Sequence, residues 1–161
     1  MRVVFTAAVL ILAGCQAAET EPAAGETITA VPSEADITLG NGENNAIATE
    51  GITRAGAVLT VPNVTIEKNG WLVLHPFRDG EPVRDEYTGS TLVKAGSNDG
   101  VTIDIGAVPA DGDMFIMMLH SDVNDDGVFD FGDGKTVPDA PVFEGTTMIA
   151  HPIAAPADSG S

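Results

Sequence analysis

The sequence predicts an all-β fold, a single antiparallel β-sandwich of about seven strands. Short apolar runs alternate with turn signals containing Gly, Pro or Asn along most of the chain. The 161 residues include 18 glycines and 10 prolines, which favour short strands and tight turns over long helices. After Cys15, no segment repeats apolar residues at helical spacing, so the pattern does not indicate an amphipathic helix.

Two runs, residues 71–75 and 114–120, are apolar at both odd and even positions. This pattern is typical of central strands that are covered on both faces, and Trp71 is interpreted as a core residue. The remaining predicted strands cover residues 57–61 with a continuation through Val64 and Ile66, 91–93, 101–105 and 146–150. Strands of this number and length favour an Ig-like or cupredoxin-like sandwich.

Three turn signals separate the predicted strands. Asn69-Gly70 is the preferred central pair of a type I′ hairpin turn, and Arg78-Asp79-Gly80 is a second turn. A third turn is predicted over residues 96–100, which begin and end with glycine. Pro62 has no backbone N–H to donate to a neighbouring strand, so we expect it at a sheet edge or a bulge.

Composition divides the chain into four segments. Residues 1–14 are a predicted signal peptide. Residues 15–54 are a predicted flexible acidic tether with weak edge structure, because they offer few large apolar side chains to bury. Residues 55–153 form the predicted β-sandwich domain. Residues 154–161 are predicted to be a disordered tail for the same compositional reason.

The first residues have the features of an export signal. Arg2 is followed by an apolar run to Leu12 that is too short to span a bilayer as a helix. The segment Leu12-Ala13-Gly14-Cys15 resembles the lipobox of bacterial lipoproteins. The resemblance implies that Cys15 is acylated, with palmitate among its chains, and becomes the membrane-anchored first residue of the mature protein. Gln16 in place of Asp favours the outer membrane, facing the periplasm or the cell surface, over the inner membrane.

The chain is strongly acidic, with 24 Asp and Glu residues, 7 Lys and Arg residues and a formal net charge of −17. Loss of Arg2 with the signal peptide would bring the net charge to −18. This charge argues against nucleic acid as a partner, because phosphates attract basic surfaces. It also argues against electrostatic docking on anionic lipid, so the acyl anchor is the predicted link to the membrane.

Four segments stand in a recognisable order along the chain. They are Gly70-Trp71-Leu72-Val73-Leu74-His75-Pro76, Met118-Leu119-His120-Ser121-Asp122, Asp126-Gly127-Val128-Phe129-Asp130-Phe131 and Pro138-Asp139-Ala140-Pro141-Val142. Together they resemble a domain-of-unknown-function family of β-sandwich-like modules in haloarchaeal and bacterial exported or lipid-anchored proteins. The resemblance covers about residues 55–150 and implies an exported β-module, but it brings no catalytic residues. This chain differs from the family pattern in its longer and more acidic loop.

The acidic loop from Asp122 to Asp133 has the spacing D-x-N-x-D-G-x-x-D-x-x-D, which predicts a calcium site that acts as a structural staple. Asp133 stands where Glu closes many such loops, and its shorter side chain predicts weak binding. The alternative is an acidic hairpin loop whose side chains bond their own backbone in Asx-turns. The predicted ligands are Asp122, Asn124, Asp126, the carbonyl group of Val128, Asp130 and Asp133.

The three histidines, His75, His120 and His151, form a second candidate metal site, for copper or zinc. Methionines at 114, 117 and 118 add possible thioether ligands. A blue-copper centre is excluded, because it needs a thiolate and the only cysteine, Cys15, is expected to be lipidated. The alternative is that the histidines bond backbone carbonyls at strand ends and that the methionines fill the core.

These features predict a lipid-anchored, non-enzymatic module of the cell envelope with a binding or structural role. Its expected partners are the membrane, through the anchor, and an unidentified envelope protein or glycan. Calcium is the one cofactor that the sequence suggests. The first alternative is a metal-handling periplasmic lipoprotein that uses the three histidines. The second is a hydrolase, although Glu67, Glu81, Glu86 and Asp104 form no recognisable catalytic pattern.

Overall fold

Two β-sheets build the part of the chain that the computed structural model describes, residues 36–83, 85–131 and 139–160. Short strands with apolar residues at alternate positions form both sheets, as the sequence predicts. In chain order the strands are β1 (Thr38–Gly40), β2 (Ala46–Ile47), β3 (Thr53–Ala55), β4 (Val58–Ile66), β5 (Gly70–Arg78), β6 (Glu81–Pro82), β7 (Gly89–Val93), β8 (Gly96–Asp104), β9 (Met114–Ser121), β10 (Phe143–Glu144) and β11 (Thr147–Ala154).

The larger sheet has seven strands in the order β1-β11-β9-β5-β6, with β10 paired to β11 and β7 paired to β5. The smaller sheet has the order β2-β4-β3, with β8 paired to β4. All of these pairs are antiparallel except β1 with β11, which run parallel. The prediction of an all-β, sandwich-like fold is therefore confirmed. The described residues contain more strands than expected, because β1, β2, β3, β6 and β10, each of two or three residues, add to the predicted ones.

The hydrophobic core lies where the two sheets face each other. Leu59 and Val61 of β4 are fully buried and belong to the same apolar cluster as Leu72 of β5 and Leu119 of β9. Burial of each such side chain stabilises the fold by about 1.5–3 kcal/mol relative to exposure. The alternate residues of β5 and β9 point to the outer face of the larger sheet, where a second cluster contains Ile116 and Met118.

Strands β5 and β9 are adjacent and buried on both faces, as predicted. The core covers one face, and the loop that follows β9 covers part of the other. Trp71 is 8% exposed and lies on this outer face, with its ring 5.4 Å from that of Phe129. Its indole Nε1 makes no hydrogen bond within the described residues.

The predicted hairpin at Asn69-Gly70 is wrong. Strands β4 and β5 lie in different sheets, so the chain crosses between the sheets at this point and the two strands do not pair as a hairpin. Gly70 serves a close approach: a Cβ atom on it would collide with the backbone carbonyl of His120 and with the side chain of Ile66. The side-chain oxygen of Asn69 accepts a hydrogen bond from the backbone amide of Ala95 at 3.1 Å.

The predicted turn at residues 96–100 is also wrong, because these residues form the first half of β8. They pair with β4 from Asn63 to Ile66, so the full length of β4 has a partner. Their side chains are mostly exposed, which explains why the segment lacks the apolar alternation of a strand. The turn at Asp79-Gly80 is confirmed: both residues have positive φ, and β5 and β6 pair across them.

Pro62 lies within β4 rather than at a sheet edge or a bulge, which corrects the prediction for it. Strand β8 pairs with one side of β4. On the other side, strand β3 pairs with residues 58–60 and strand β2 with residues 64–65. Pro62 therefore falls opposite the gap between two short strands, where a backbone donor is dispensable.

The ordered part of the chain extends beyond the predicted domain, residues 55–153, at both ends. Strands β1 to β3 lie almost wholly within residues 15–54, where the sequence predicted a tether with weak edge structure, and they pair with β11 and β4. The predicted tail, residues 154–161, is ordered as far as the structure describes it, because the buried Arg54 holds it. The Arg54 guanidinium donates to the carbonyl of Pro156, and its backbone carbonyl accepts from Ser159.

The predicted signal peptide, Cys15 and residues 15–35 of the predicted tether lie outside the described residues. Within the described residues, no helix has the length and apolar character needed to cross a membrane.

Candidate functional site

The loop after β9, described from Asp122 to Phe131, folds back over the outer face of the larger sheet. The rings of Phe129 and Phe131 lie 5.5 Å from those of His120 and His75, respectively. Tyr87 packs edge-on against both phenylalanines, at 5.1 and 5.4 Å. The loop therefore combines an acidic segment with an aromatic cover over two histidines.

The acidic segment begins with Asp122, whose carboxylate is buried and caps the turn that follows. Its Oδ1 accepts the amide of Asp126 at 3.2 Å, and its Oδ2 accepts the amide of Gly127 at 3.0 Å. Asp125 and Gly127 have φ values of 55° and 68°, in the left-handed region that Asn, Asp and Gly tolerate best. The loop turns sharply at these residues, and Gly127 is the glycine of the D-x-N-x-D-G spacing.

Three side chains of the predicted calcium motif meet on one side of this turn. The amide nitrogen of Asn124 lies 2.9 Å from Oδ2 of Asp126 and 3.5 Å from Oδ2 of Asp130. The other carboxylate oxygen of Asp126 accepts the amide of Val128 at 2.8 Å. Positions 3, 5 and 9 of the motif are thus brought together around the turn that position 1 caps.

A further carboxylate, from Asp139, reaches the same place from beyond the loop. Hydrogen bonds from Ser121 to the Ala140 carbonyl (2.9 Å) and from Val142 to the Leu119 carbonyl (2.8 Å) align its segment with β9. Asp139 is 0% exposed, and its Oδ2 accepts the amide of Asp130 at 2.8 Å. Its Oδ1 has no hydrogen-bond partner within the described residues.

The carboxyl groups of Asp122, Asp130 and Asp139 disfavour one another's negative charge. Burial raises the pKa of the Asp139 carboxyl above its usual range, and the nearby carboxylates of Asp122 and Asp130 raise it further. Hydrogen bonds from the backbone amides of Asp130 and Val123 partly offset this rise in the pKa. A buried carboxylate beside two others is a position where a cation would be favourable.

The other predicted calcium ligands have different positions. The side chain of Val128 is 56% exposed, so this residue has only its backbone carbonyl to offer. Asp133 lies outside the described residues. Within the described ranges, no three His, Cys, Asp or Glu side chains stand ready to coordinate a metal ion. Asp122 and Asp126 instead use carboxylate oxygens to accept backbone amides.

Asn69 fastens the acidic segment to the start of β5. Its side-chain amide donates to the carboxylate of Asp125 at 3.0 Å, and its backbone carbonyl accepts a hydrogen bond from the backbone amide of Asp122 at 3.1 Å. Asn69 therefore belongs to the site through the loop that it holds, whereas the sequence pattern suggested only a turn.

His75 and His120 are neighbours beneath the aromatic cover, and both are nearly fully buried. Their Nε2 atoms are 3.4 Å apart. The Nδ1 of His75 bonds the carbonyl of Glu86 at 2.6 Å, and the Nδ1 of His120 bonds the carbonyl of Asp139 at 2.8 Å. Burial lowers the pKa of both imidazoles, that of His120 to about 4.

His151 does not join this pair. It pairs in register with Met117, whose side chain faces the core, whereas His75 and His120 alternate to the outer face. Its Nε2 lies 2.8 Å from the side-chain oxygen of Asn41. The predicted three-histidine cluster is thus reduced to two residues, because His151 lies on the face of the sheet opposite to that of His75 and His120.

Two clefts adjoin these groups. One, of about 260 Å³, is apolar apart from His75 and is lined by Ile37, Leu39, His75, Pro82, Ile116, Met118 and Met148. The other, of about 240 Å³, is lined by Asn45, Ile66, Glu67, Lys68, Ser121, Pro141, Val142 and Phe143. Neither cleft carries a pair of carboxylates among these residues, which is the arrangement that the hydrolase alternative would need.

The sequence pattern predicted no role in the site for Asp139, Phe129 or Phe131, although all three stand in the segments that carry the family resemblance. Phe129 and Phe131 stand two residues apart, the spacing that puts two side chains on one face of an extended segment. That alternation was a usable signal. Asp139 had no local signal, because its place beside Asp122 depends on the pairing of residues 140–142 with β9.

Residues 45–154 match the model of a protein family described as a domain of unknown function (DUF7282). No curated protein and no solved structure matches the chain. The match covers the whole of the site described above, from Asn69 to Asp139, as well as His151.

Proposed function

Since the chain belongs to the family of domains of unknown function DUF7282, its family name supplies no activity, and we propose a function from the geometry of the site. We propose that the protein is a non-enzymatic, lipid-anchored module of the cell envelope whose acidic loop binds calcium. Calcium acts here as a structural staple. It joins the loop after β9 to the segment that contains Asp139.

The observation that carries this proposal is the buried carboxylate of Asp139. A buried charge is normally paired or coordinated to a metal ion, and Asp139 Oδ1 has neither partner among the described residues. Asp122 and Asp130 add like charges beside it. A divalent cation would reverse the sign of these interactions, since each carboxylate would then stabilise the ion instead of repelling its neighbours.

The donor set has the chemistry of a calcium site. Ca²⁺ takes about six to eight oxygen ligands at about 2.3–2.6 Å and tolerates irregular geometry. Asp122, Asn124, Asp126, Asp130 and Asp139 supply five oxygen-bearing side chains, and the carbonyl of Val128 and Asp133 are further candidates. The side chains that now accept backbone amides keep a second oxygen or free lone pairs for the ion.

Binding would also secure the aromatic cover. Phe129 and Phe131 flank Asp130, so an ion held by Asp130 fixes the segment from which both rings reach the histidines. The proposed role is therefore structural for this surface, and an envelope protein or a glycan is the partner class that we propose for it.

The envelope location is proposed from the lipobox-like sequence that ends at Cys15. Acyl chains on this residue would hold an acidic module at a membrane that its own charge does not favour. Gln16 supports the outer membrane, facing the periplasm or the surface.

The calcium proposal is tested by thermal melting of the full-length protein during a calcium titration. A ligand that binds only the folded state stabilises it by RT ln(1 + [L]/Kd), about 1.4 kcal/mol at ten times Kd. With a Kd of about 10⁻⁴ to 10⁻³ M, as in extracellular calcium modules, about 10 mM Ca²⁺ should raise the melting temperature by roughly 3–11 °C. Mg²⁺ should do so much less, because it demands a smaller octahedral shell.

Two variants make this test specific. Asp139→Asn should lose most of the calcium-dependent shift, because it removes the charge that carries the proposal. Asp125→Asn is the matched control: it makes the same charge change in the same loop, at a position outside the predicted ligand spacing, and Asn tolerates its positive φ. A wild-type melting curve that Ca²⁺ does not move, or equal shifts in both variants, would contradict the proposal.

A further inference from the structure

The two buried histidines meet end to end. Their Nε2 atoms are 3.4 Å apart, their ring centroids are 5.6 Å apart and the ring planes differ by 29°. The centroid distance equals the gap between the nitrogens plus about one imidazole radius on each side. The Nε2 atoms of His75 and His120 therefore point at each other in nearly one plane.

Hydrogen bonds to backbone carbonyls fix the tautomer of each ring. A carbonyl oxygen can only accept, so the Nδ1 atoms bonded to the Glu86 and Asp139 carbonyls both carry hydrogen. Each neutral ring then has an unprotonated Nε2 with its lone pair in the ring plane. Two lone pairs aimed at each other in a buried space repel, and a cation between them would turn this repulsion into two bonds.

We propose that His75 and His120 bind one Cu(I) ion between their Nε2 atoms. Metal–nitrogen distances of about 2.0 Å require a nitrogen–nitrogen separation of about 4 Å, so the present gap would widen by roughly 0.6 Å. The backbone carbonyls of Glu86 and Asp139 accept hydrogen bonds from the Nδ1 atoms and so already orient both rings, as is usual for metal-binding histidines. Its ligands differ from those of the calcium site, although Asp139 lies between the two sites: its carboxylate faces the acidic loop and its backbone carbonyl bonds His120.

The surroundings favour a soft, singly charged ion. Both ligands are neutral and both side chains are at most 2% exposed, beneath the rings of Phe129 and Phe131. The cost of removing an ion from water rises with the square of its charge, so Cu(I) is less costly to bury here than Zn²⁺. Cu(I) also accepts two-coordinate binding by imidazole, whereas protein-bound Zn²⁺ needs four ligands.

The adjacent apolar cleft supplies a route to the site. His75 lines it together with Met118 and Met148, whose thioether sulfurs suit Cu(I) and not hard cations. No carboxylate lines this cleft among its described residues.

The test uses the full-length chain with Cys15→Ser, which removes a thiolate that would itself bind copper, at a fixed calcium concentration and without oxygen. Cu(I) is supplied in competition with a chromophoric Cu(I) chelator. The protein should take up one Cu(I) per chain, and His75→Gln or His120→Gln should each weaken binding at least tenfold. His151→Gln is the matched control and should bind as the parent does.

A second measurement works on the folded parent protein and does not depend on variants that may fail to fold. Long-range ¹H–¹⁵N spectra should show both Nε2 resonances moving on addition of Ag(I), a redox-inert substitute, while the resonances of His151 stay in place. Three results would overturn the proposal: no stoichiometric uptake of Cu(I), unchanged Nε2 resonances with Ag(I), or spectra showing an imidazolium in the pair at neutral pH. Equal loss of binding in His151→Gln would also do so.

Discussion

The carboxyl group of Asp139 lies where water does not reach, and this makes it the most informative residue of the site. Its pKa is raised chiefly by burial. The folded protein without calcium therefore binds a proton there more readily than the unfolded chain does, and through this residue the free energy of unfolding rises as the pH falls through the folded pKa. The spacing of the loop predicted Asp122, Asn124, Asp126 and Asp130, but not this residue, because its position depends on the tertiary pairing beside β9.

Asp139→Asn should therefore stabilise the calcium-free protein. The asparagine carbonyl can keep the hydrogen bond from Asp130, and its amide can donate to the neighbouring carboxylates without adding charge. Relief of a buried unsatisfied acceptor is worth about 1 kcal/mol or more, a rise of roughly 3 °C in melting temperature. Melting in EDTA measures this directly, and a variant less stable than wild type under these conditions would show that the charge is satisfied in the folded state.

The buried histidines predict an opposite pH dependence. Because burial lowers the pKa of His120 to about 4, from about 6.5 when unfolded, the unfolded chain binds the proton first. The contribution of His120 to stability is complete above about pH 6.5 and is lost as the pH falls from there toward 4. Between pH 7 and pH 5 the free energy of unfolding in EDTA should fall by roughly 1–2 kcal/mol. A flat or rising profile in denaturant titrations over this range would contradict it.

At the scale of elements, local signals identified strands well and connections poorly. Apolar runs found β4, β5, β9 and β11, by alternation in β4 and by apolar residues at both odd and even positions in β5 and β9, since each strand buries a face in the core. These apolar runs do not distinguish a hairpin at Asn69-Gly70, which would pair β4 with β5, from a connection between the two sheets. Residues 96–100 show the converse failure: their strand has few buried side chains, so their sequence has the composition of a turn.

The close approach at Gly70 gives a stability prediction for this crossing. Gly70→Ala should lower the free energy of unfolding by about 1–3 kcal/mol, because its Cβ would collide with the His120 carbonyl and force the two strands apart. Gly40→Ala is the matched control, since its Cβ would make only an ordinary contact with Thr147 at 3.9 Å. Its effect should stay within about 0.5 kcal/mol. Equal midpoints for both variants in denaturant titrations would mean that the approach is not tight.

At the scale of the whole molecule, composition predicted the fold class, whereas the extent of the ordered domain emerged only from long-range contacts. Residues 38–54 and 154–160 have few large apolar side chains, yet β1 joins β11 and the C-terminal segment is held by Arg54. Their order comes from backbone hydrogen bonds, one buried guanidinium and a few core contacts, chiefly those of Ile47 and Ala155. The site follows the same rule, since it joins segments far apart in sequence.

The proposed anchor gives a prediction for the intact protein in its host. Cys15→Ser removes the acylation site, so the protein should leave the membrane fraction or remain unprocessed, since the acidic chain has no other predicted attachment. Fractionation followed by mass determination of the mature N-terminus would test this. Unchanged processing together with unchanged membrane association would contradict the lipoprotein proposal.

The most direct test of the calcium site is a crystal structure of the protein grown with Ca²⁺. We expect one cation with oxygen ligands at about 2.3–2.6 Å, including side chains of Asp122, Asn124 and Asp126, and with Oδ1 of Asp139 among them. Anomalous scattering would identify the ion. A loop that remains free of calcium at saturating concentration, or an ion that Asp139 Oδ1 does not coordinate, would contradict the calcium proposal.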